Sequence, residues 1–282
     1  MTILCIDGFN FLHRARAGFT LGDHPICFNF FRNFRALVEL HKPTRVIFVL
    51  EGHPKQRYEL MPSYKANRRI DVVEGEPVEP EVAKKVADLK SFLRQANLIV
   101  DLLTKHFPVS VVRHPDHECD DVIYNLIKRS SSATPWVVAS NDSDFTQLLN
   151  EFSNVRIYNP MTKAYVEAPP YDYVTWKALR GDGSDNIPGL TGVGDAIAEE
   201  LVNDDIGMKK LFEDKALADQ FSLNYRLIKF IDWTDEEAMQ MTSSSPAKDW
   251  DAVAAKFGEW LFRSLLKEGT WDKYKATFDT LW

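Results

Sequence analysis

Acidic clusters recur in this chain where apolar strands hand over to helices, and that recurrence constrains the fold more than any other feature. Val109-Ser110-Val111-Val112-Arg113 reads as an extended run. Glu118-Cys119-Asp120-Asp121 follows, and Val122, Ile123, Leu126 and Ile127 then repeat at helical spacing. Downstream, Trp136-Val137-Val138-Ala139 reads as a buried strand, Asp142-Ser143-Asp144 follows it, and Phe145, Leu148 and Leu149 start a helix. Five carboxylates thus fall within 27 residues. One such acid is an ordinary helix cap or first-turn residue. Two clusters in register on successive parallel strands converge on the sheet edge where ligands bind. Carboxylates gathered there repel one another unless cations neutralise them.

The same pattern opens the chain. Thr2 to Ile6 reads as a first strand ending in Asp7-Gly8. A helix from about Pro25 carries Cys27, Phe30, Phe31, Phe34, Leu37 and Val38 on one face, and Pro43 stops it. Arg45 to Leu50 is a second strand ending in Glu51-Gly52. This rhythm predicts an α/β fold with a doubly wound, mostly parallel sheet.

A polar passage from Gly52 to Pro80 interrupts it. Lys55, Arg57, Lys65, Arg68 and Arg69 fall within fifteen residues, and Glu74, Glu76, Pro77, Glu79 and Pro80 follow. A helix from about Glu81 to Phe107 comes next, with Val82, Val86, Leu89, Phe92, Leu93, Ala96, Ile99, Val100 and Leu103 expected on its core side. A loop inserted beside an acidic edge is where a substrate gate would sit, and Tyr and Arg near Lys suit single-strand stacking and phosphate contact.

After a strand at Val155 to Tyr158, a short helix from Tyr171 to Arg180 leads into Gly181-Asp182-Gly183-Ser184-Asp185-Asn186-Ile187-Pro188-Gly189. Asp182 and Asp185 are three apart and can face one ion. Gly189-Leu190-Thr191-Gly192-Val193-Gly194 then opens a helix near Asp195. Such a turn exposes amides to phosphate and carbonyls to a monovalent cation. The remainder reads as helical, with Trp250, Val253, Phe257, Trp260, Leu261 and Leu265 as core. We expect an α/β core over 1–168, with an insertion near 52–107, and a helical region over 169–282 with a glycine hairpin near 181–202.

Net charge is −7, which by itself argues against a nucleic-acid partner, but two bound divalent ions would bring it to −3. The distribution of charge then matters more than the total. Cys5, Cys27 and Cys119 are odd in number and widely spaced, as in a reduced intracellular protein. No Cys or His stands at zinc-ligand spacing from Cys119. No apolar run reaches membrane length, and the first residues lack the basic lead of a signal peptide, so a cytoplasmic, unsecreted protein is expected.

Taken together, Ile6-Asp7-Gly8, Ser63-Tyr64-Lys65-Ala66-Asn67-Arg68, Glu118-Cys119-Asp120-Asp121-Val122-Ile123, Asn141-Asp142-Ser143-Asp144 and Gly181-Asp182 through Gly194 resemble the 5′-nuclease family. These are flap endonucleases and 5′–3′ exonucleases, including stand-alone phage and bacterial types related to the polymerase I 5′-nuclease domain. The resemblance runs from Asp7 to about Val202. It implies a PIN-like core, a helical arch from Arg57 to about Phe107, and a helix-hairpin-helix that grips duplex DNA, often with potassium. It also implies two magnesium ions, with manganese as a substitute. Asp7, Glu51, Glu118 and Asp120 would hold the first, and Asp142, Asp144, Asp182 and Asp185 the second, with Asp121 beside or between them. Tyr64, Lys65 and Arg68 would act at the scissile phosphate, and Arg57, Arg69, Gly189, Gly192, Val193 and Gly194 would join Lys65 and Arg68 in contacting DNA.

Three positions depart from the family. Glu51 stands where Asp is usual, Asn141 where Gly is frequent, and Asp195-Ala196 lacks the basic residue that often follows the hairpin. The duplex grip is therefore expected to be weaker, partly recovered by Lys209 and Lys210. The implied activity is hydrolysis of DNA at 5′ flaps, forks or ends, RNA primers included, in replication or repair. The expected protein is a monomer that cooperates with a polymerase or single-strand binding protein. The rival readings are a PIN-type ribonuclease, which needs neither glycine hairpin nor long arch helix, and a branched-DNA binding protein without catalysis. A small-molecule phosphatase lies further back.

Overall fold

The computed structural model describes residues 1–20, 22–68 and 79–281. The expected arch apex, including Arg69, Glu74, Glu76 and Pro77, lies outside the described residues. The strands are β1 Ile3–Asp7, β2 Arg45–Leu50, β3 Ser110–Arg113, β4 Trp136–Ala139, β5 Val155–Asn159, β6 Ala164–Tyr165, β7 Gly181–Asp182, β8 Ile187–Pro188 and β9 Thr242–Ser243. The helices are α1 Gly8–Arg14, α2 Pro25–His41, α3 Lys55–Leu60, α4 Pro80–His106, α5 Cys119–Lys128, α6 Gln147–Glu151, α7 Tyr173–Arg180, α8 Asp195–Leu201, α9 Asp205–Leu211, α10 Lys215–Ile228, α11 Asp235–Met239, α12 Trp250–Glu259, α13 Arg263–Leu266 and α14 Thr270–Ala276.

The main sheet has the order β6-β5-β4-β1-β2-β3-β9. β1 to β5 run parallel, while β6 and β9 add antiparallel at the two edges. The sheet is covered on both faces, as its near-continuous apolar strands require. Leu4, Ile6, Val46, Phe48 and Val111 point to one face with α2, α4 and α12 to α14, while Ile3, Cys5, Ile47, Val49 and Val112 point to the other with α5 and Phe230. Chain order reverses beside β1: β2 and β3 lie on one side, β4 and β5 on the other. The crevice outside the ends of β1 and β4 is therefore the topological switch point, the ligand position of such sheets.

Residues on both sides of position 168 share one core, since Val253, Phe257, Trp260 and Leu265 pack with Phe31, Phe34 and Phe107. Leu261 does not join them: it is 69% exposed and turns the chain with φ 60°. On α4, Phe92, Ala96, Ile99 and Leu103 are buried as the spacing predicts, but Leu93 is 45% exposed and Leu102 is buried in its place. Full burial on α4 starts only at Phe92; before it Val82, Val86 and Leu89 are half-buried, and Leu89 packs against the core. No described helix is long and apolar enough to cross a membrane.

Candidate active site

Asp7 ends β1 and caps α1, accepting from the Asn10 amide at 3.1 Å. Ser140, just past β4, donates to its other oxygen at 2.8 Å and so ties the two strand ends together across the switch point. Glu51 follows β2 and reaches over to the first turn of α5, where Oε2 accepts from the Cys119 amide at 2.9 Å. The extra methylene relative to Asp lengthens that reach, and Glu118, the cap residue of α5, makes no such bond itself. Asp120 and Asp142 accept from the amides of Asp121 and Asp144. Together with Glu118, Lys65 and Arg68, these four acids line a cavity of about 590 Å³ whose other walls include Phe9, His13 and Leu89.

Among the described residues, Asp7, Glu51, Asp120 and Asp142 have no cationic partner at ion-pair distance, whereas Glu118, Asp121, Asp144, Asp182 and Asp185 each do. The electrostatics follow that division. Burial pushes Asp7 up to about 6. Burial, then Glu118 and Asp7, push Glu51 up to about 7. Burial and the Asp121 charge raise Asp120, and burial with Asp144 raises Asp142. Burial works against ionised Glu118 too, but Arg57 and Lys65 outweigh it and hold Glu118 low. Lys177 and Ser184 likewise overcome burial at Asp182, holding it at about 2.

The Ser63–Arg68 block reaches the site by docking on the turn after β7. The Lys65 amide donates to Asp185 O at 3.0 Å, Asn67 to Gly183 O at 2.8 Å and Arg68 Nε to Ser184 O at 3.1 Å, while Asn186 donates back to Ser63 O at 2.8 Å. Lys65, held at φ 54°, pairs with Glu118 and lies 3.7 Å from Asp185, and Arg68 pairs with Asp185. The Tyr64 hydroxyl lies 3.0 Å from both Glu118 Oε2 and Asp185 Oδ2 and shares its proton between them. Asp144, Asp182 and Asp185 each offer an oxygen within 4.8 Å of the other two. They open into an adjoining cavity of about 380 Å³, which shares Arg68 and Asp142 with the first.

Two expected roles need correction. Arg57 is not placed to touch DNA: it is 1% exposed, with Nε donating to Leu227 O and its two terminal nitrogens held by Glu118 and Asp121. Asp121 is fully buried. Although its oxygens lie near those of Glu118 and Asp120, Oδ1 accepts from Arg57 and the Ile231 amide, and Oδ2 accepts from Arg57. It is committed to a strut between α3, α5 and the chain after α10 and does not face the cavity. Gly189 also has a packing role, because a Cβ there would come within 2.1 Å of Arg180 O. Gly192 (φ 82°) and Gly194 face open space, and Val193 is half-buried behind them.

Two contributors escaped the sequence reading. Lys177 is 5% exposed and pairs with Asp144 and Asp182, at 2.6 Å in the latter case. The available signal was a lysine on the apolar side of a short helix, beside Val174 and Ala178. Ser140 had no local signal, since its partner Asp7 is 133 positions away.

The donors suit hard divalent cations. They are all oxygens, as magnesium and manganese prefer. Four of them, with Asp7 buried, Glu51 and Asp120 half-buried and Asp142 at the exposed edge, have no counter-charge among the described residues, an arrangement that raises their pKa values and that bound cations would relieve.

Comparison with known proteins bears on the family and the fold. The family described as "5′-3′ exonuclease, N-terminal resolvase-like domain" matches residues 2–174. The chain is 25% identical to the 5′-3′ exonuclease of Aquifex aeolicus over 297 residues, covering 95% of this chain and 94% of that protein. It is also 25% identical to DNA polymerase I of Synechocystis over 244 residues, covering 76% of this chain and 23% of the polymerase, so it spans about a quarter of that relative. Among solved structures, the bacteriophage T5 flap endonuclease, in a pseudo-enzyme–product complex with DNA and metal ions, overlays with a TM-score of 0.66 at 17% identity, covering 99% of this chain and 98% of that one. Human GEN1 bound to Holliday junction DNA overlays with a TM-score of 0.55 at 13% identity, over 94% of this chain and 70% of that one. At such identities these overlays speak to the fold. The family match covers more than half of the sequence and includes Asp7, Glu51, Glu118, Asp120, Asp142 and Asp144: the chain belongs to the 5′–3′ exonuclease family.

Proposed function

We propose that this protein is a structure-specific 5′ nuclease that hydrolyses DNA phosphodiesters at 5′ flaps, forks or 5′ ends, with magnesium as the physiological ion and manganese as a substitute. The observation that carries this reading is the set Asp7, Glu51, Asp120 and Asp142, four carboxylates without cationic partners among the described residues, facing Lys65 and Arg68 across one cavity at the sheet's switch point. Asp7, Glu51, Glu118, Asp120 and Asp142 would hold one ion, and Asp142, Asp144, Asp182 and Asp185 the other. Bound there, two divalent ions supply a nucleophile near neutral pH and charge compensation at the leaving oxygen.

The chain's own groups do the rest. Lys65 and Arg68 reach the cavity with side chains 20% and 53% exposed, so both can turn an N–H toward a phosphate oxygen as negative charge builds on it. Tyr64 fixes Glu118 and Asp185 relative to each other. The open backbone of Gly192 and Gly194, between α7 and α8, would contact the duplex backbone, with potassium at the turn. Exposed Lys209 and Lys210 on α9 would extend that contact. The standing departure at Asp195 is consistent with a modest grip, because it pairs with Arg180. RNA-primed ends, a polymerase or single-strand binding partner, a monomeric state and a cytoplasmic location complete the proposal.

The test is cleavage of 5′-flap DNA beside single-stranded RNA of the same sequence, with magnesium, manganese or a chelator. Metal-dependent cutting near the flap junction supports the reading. Cutting of RNA alone indicates a PIN-type ribonuclease, and flap binding without cleavage indicates a non-catalytic DNA-binding protein.

A further inference from the structure

The two carboxylate groups are not equally available to cations. Asp7, Glu51, Asp120 and Asp142 meet no cationic side chain at ion-pair distance among the described residues, whereas the second group already contains one. Lys177 projects from the buried side of α7, is 5% exposed, contacts Asp144, and lies 2.6 Å from Asp182 Oδ2. The Tyr173 ring lies 5.8 Å from its ammonium and the Tyr173 hydroxyl donates to the same Asp144 oxygen at 3.0 Å, so the side chain is confined.

An ammonium in that position holds carboxylate oxygens that a divalent ion would need, and two cations cannot share them without strong repulsion. We propose that Lys177 is a built-in counter-ion of the Asp144–Asp182–Asp185 group, so that the two ion positions fill unequally. The first ion enters at Asp7, Glu51, Asp120 and Asp142 in the free protein. The second enters only as the Lys177 ammonium moves off Asp144 and Asp182. Lysine suits this exchange, being a compact charge on a flexible four-carbon stem. An incoming phosphodiester gives the displaced ammonium a new anionic partner, so DNA arrival and loading of the second ion favour each other. Lys177 is thus a positioning residue that makes full metal loading depend on substrate. This inference rests on the metal-dependent reading above.

The test is ion counting without DNA, by calorimetric titration of manganese and by the electron paramagnetic resonance signal of free manganese. Wild type, Lys177→Met, Lys177→Gln and Lys177→Arg are compared after circular dichroism has confirmed folding. Wild type and Lys177→Arg should take one ion tightly and a second at least tenfold more weakly. Lys177→Met and Lys177→Gln should tighten the second ion at least tenfold and leave the first within about twofold. If instead the neutral variants leave the second affinity unchanged, or lose that ion, Lys177 does not compete for the site and the inference fails alone. Equal affinities in wild type overturn it as well. If wild type binds no divalent ion, the metal-dependent reading fails with it. Adding a non-cleavable flap DNA should tighten the second ion in wild type and have a smaller effect in Lys177→Met; an equal effect in both would show that substrate does not act through this lysine.

Discussion

Arg57 and Asp121 form a forked ion pair, with Nη1 at 2.5 Å from Oδ2 and Nη2 at 3.1 Å from Oδ1, and neither side chain is more than 2% exposed. Because Arg57 also donates to Glu118 and Leu227 O, and Asp121 accepts from Ile231, α3, the cavity-lining Glu118 and the chain after α10 meet in one buried network. Removing one partner of such a network strands the others without water or counter-charge. We expect Arg57→Met to destabilise the fold by about 3–5 kcal/mol, as read from denaturant midpoints at constant slope. A loss under about 1 kcal/mol would mean that the acids rearrange freely, contrary to the strut described here.

Under the proposed function, Lys65 is expected to bear on the phosphate instead of on folding. Its side chain is 20% exposed at the cavity rim, and its replacement leaves Tyr64 and Arg57 on Glu118. Lys65→Ala should lower the single-turnover cleavage rate roughly 100- to 1000-fold, the range for losing a charge-stabilising donor. The dissociation constant for flap DNA should change by less than about tenfold. Rapid-quench kinetics beside anisotropy titration separates the two effects, and an unchanged cleavage rate would remove Lys65 from the reaction.

Under the proposed function, Glu51 is expected to link ion binding to pH. Its folded-state pKa of about 7 lies above its ordinary 4.5, with burial the largest cause. The folded protein therefore holds this proton more firmly than the unfolded chain does. The corresponding stability is complete below pH 4.5 and is lost as pH rises through about 7. Glu51→Gln, which mimics the neutral form, should match wild type near pH 4.5 and exceed it above pH 7, by on the order of 2 kcal/mol in chelator. Manganese should reverse that order above pH 7, because it binds the ionised carboxylate. Thermal melts across pH, with and without the ion, test both halves. A Tm difference that does not vary with pH would contradict the shift.

The hairpin glycines should separate by role. A Cβ at Gly189 would meet backbone atoms of Arg180 at 2.1 and 2.6 Å, which no side-chain movement relieves. Gly189→Ala should therefore cost about 1–3 kcal/mol. Gly192 has φ 82° but open space around it, so Gly192→Ala should cost only about 1 kcal/mol of backbone strain. If Gly192 lies against DNA, flap affinity should fall for Gly192→Ala by more than its stability loss explains, which calorimetry of unfolding beside binding titration will show.

Much of the fold was legible in the chain because the signals were local. Trp136-Val137-Val138-Ala139 and Arg45 to Leu50 are apolar runs too short for buried helices, each followed by an acid, and both form parallel strands. The α4 boundaries were also readable, since Pro80 starts the helix and Pro108 follows it. The slip at Leu93 and Leu102 is a packing result, because burial on α4 depends on how α2 and α12 meet it. Periodicity alone leaves that angle free.

The acids at the strand ends follow from sequence alone: the parallel strands they terminate must leave them on one edge, whatever the details of packing. Their counter-charges were decided only by the tertiary structure. Arg57 reaches Glu118 across 61 positions and Leu227 O across 170, and Lys177 reaches Asp144 across 33. An ion pair is a matter of a few ångströms in space, and nothing in local pattern or propensity fixes such a distance. Folding therefore divided nine similar carboxylates into four without a cationic partner among the described residues and five with one.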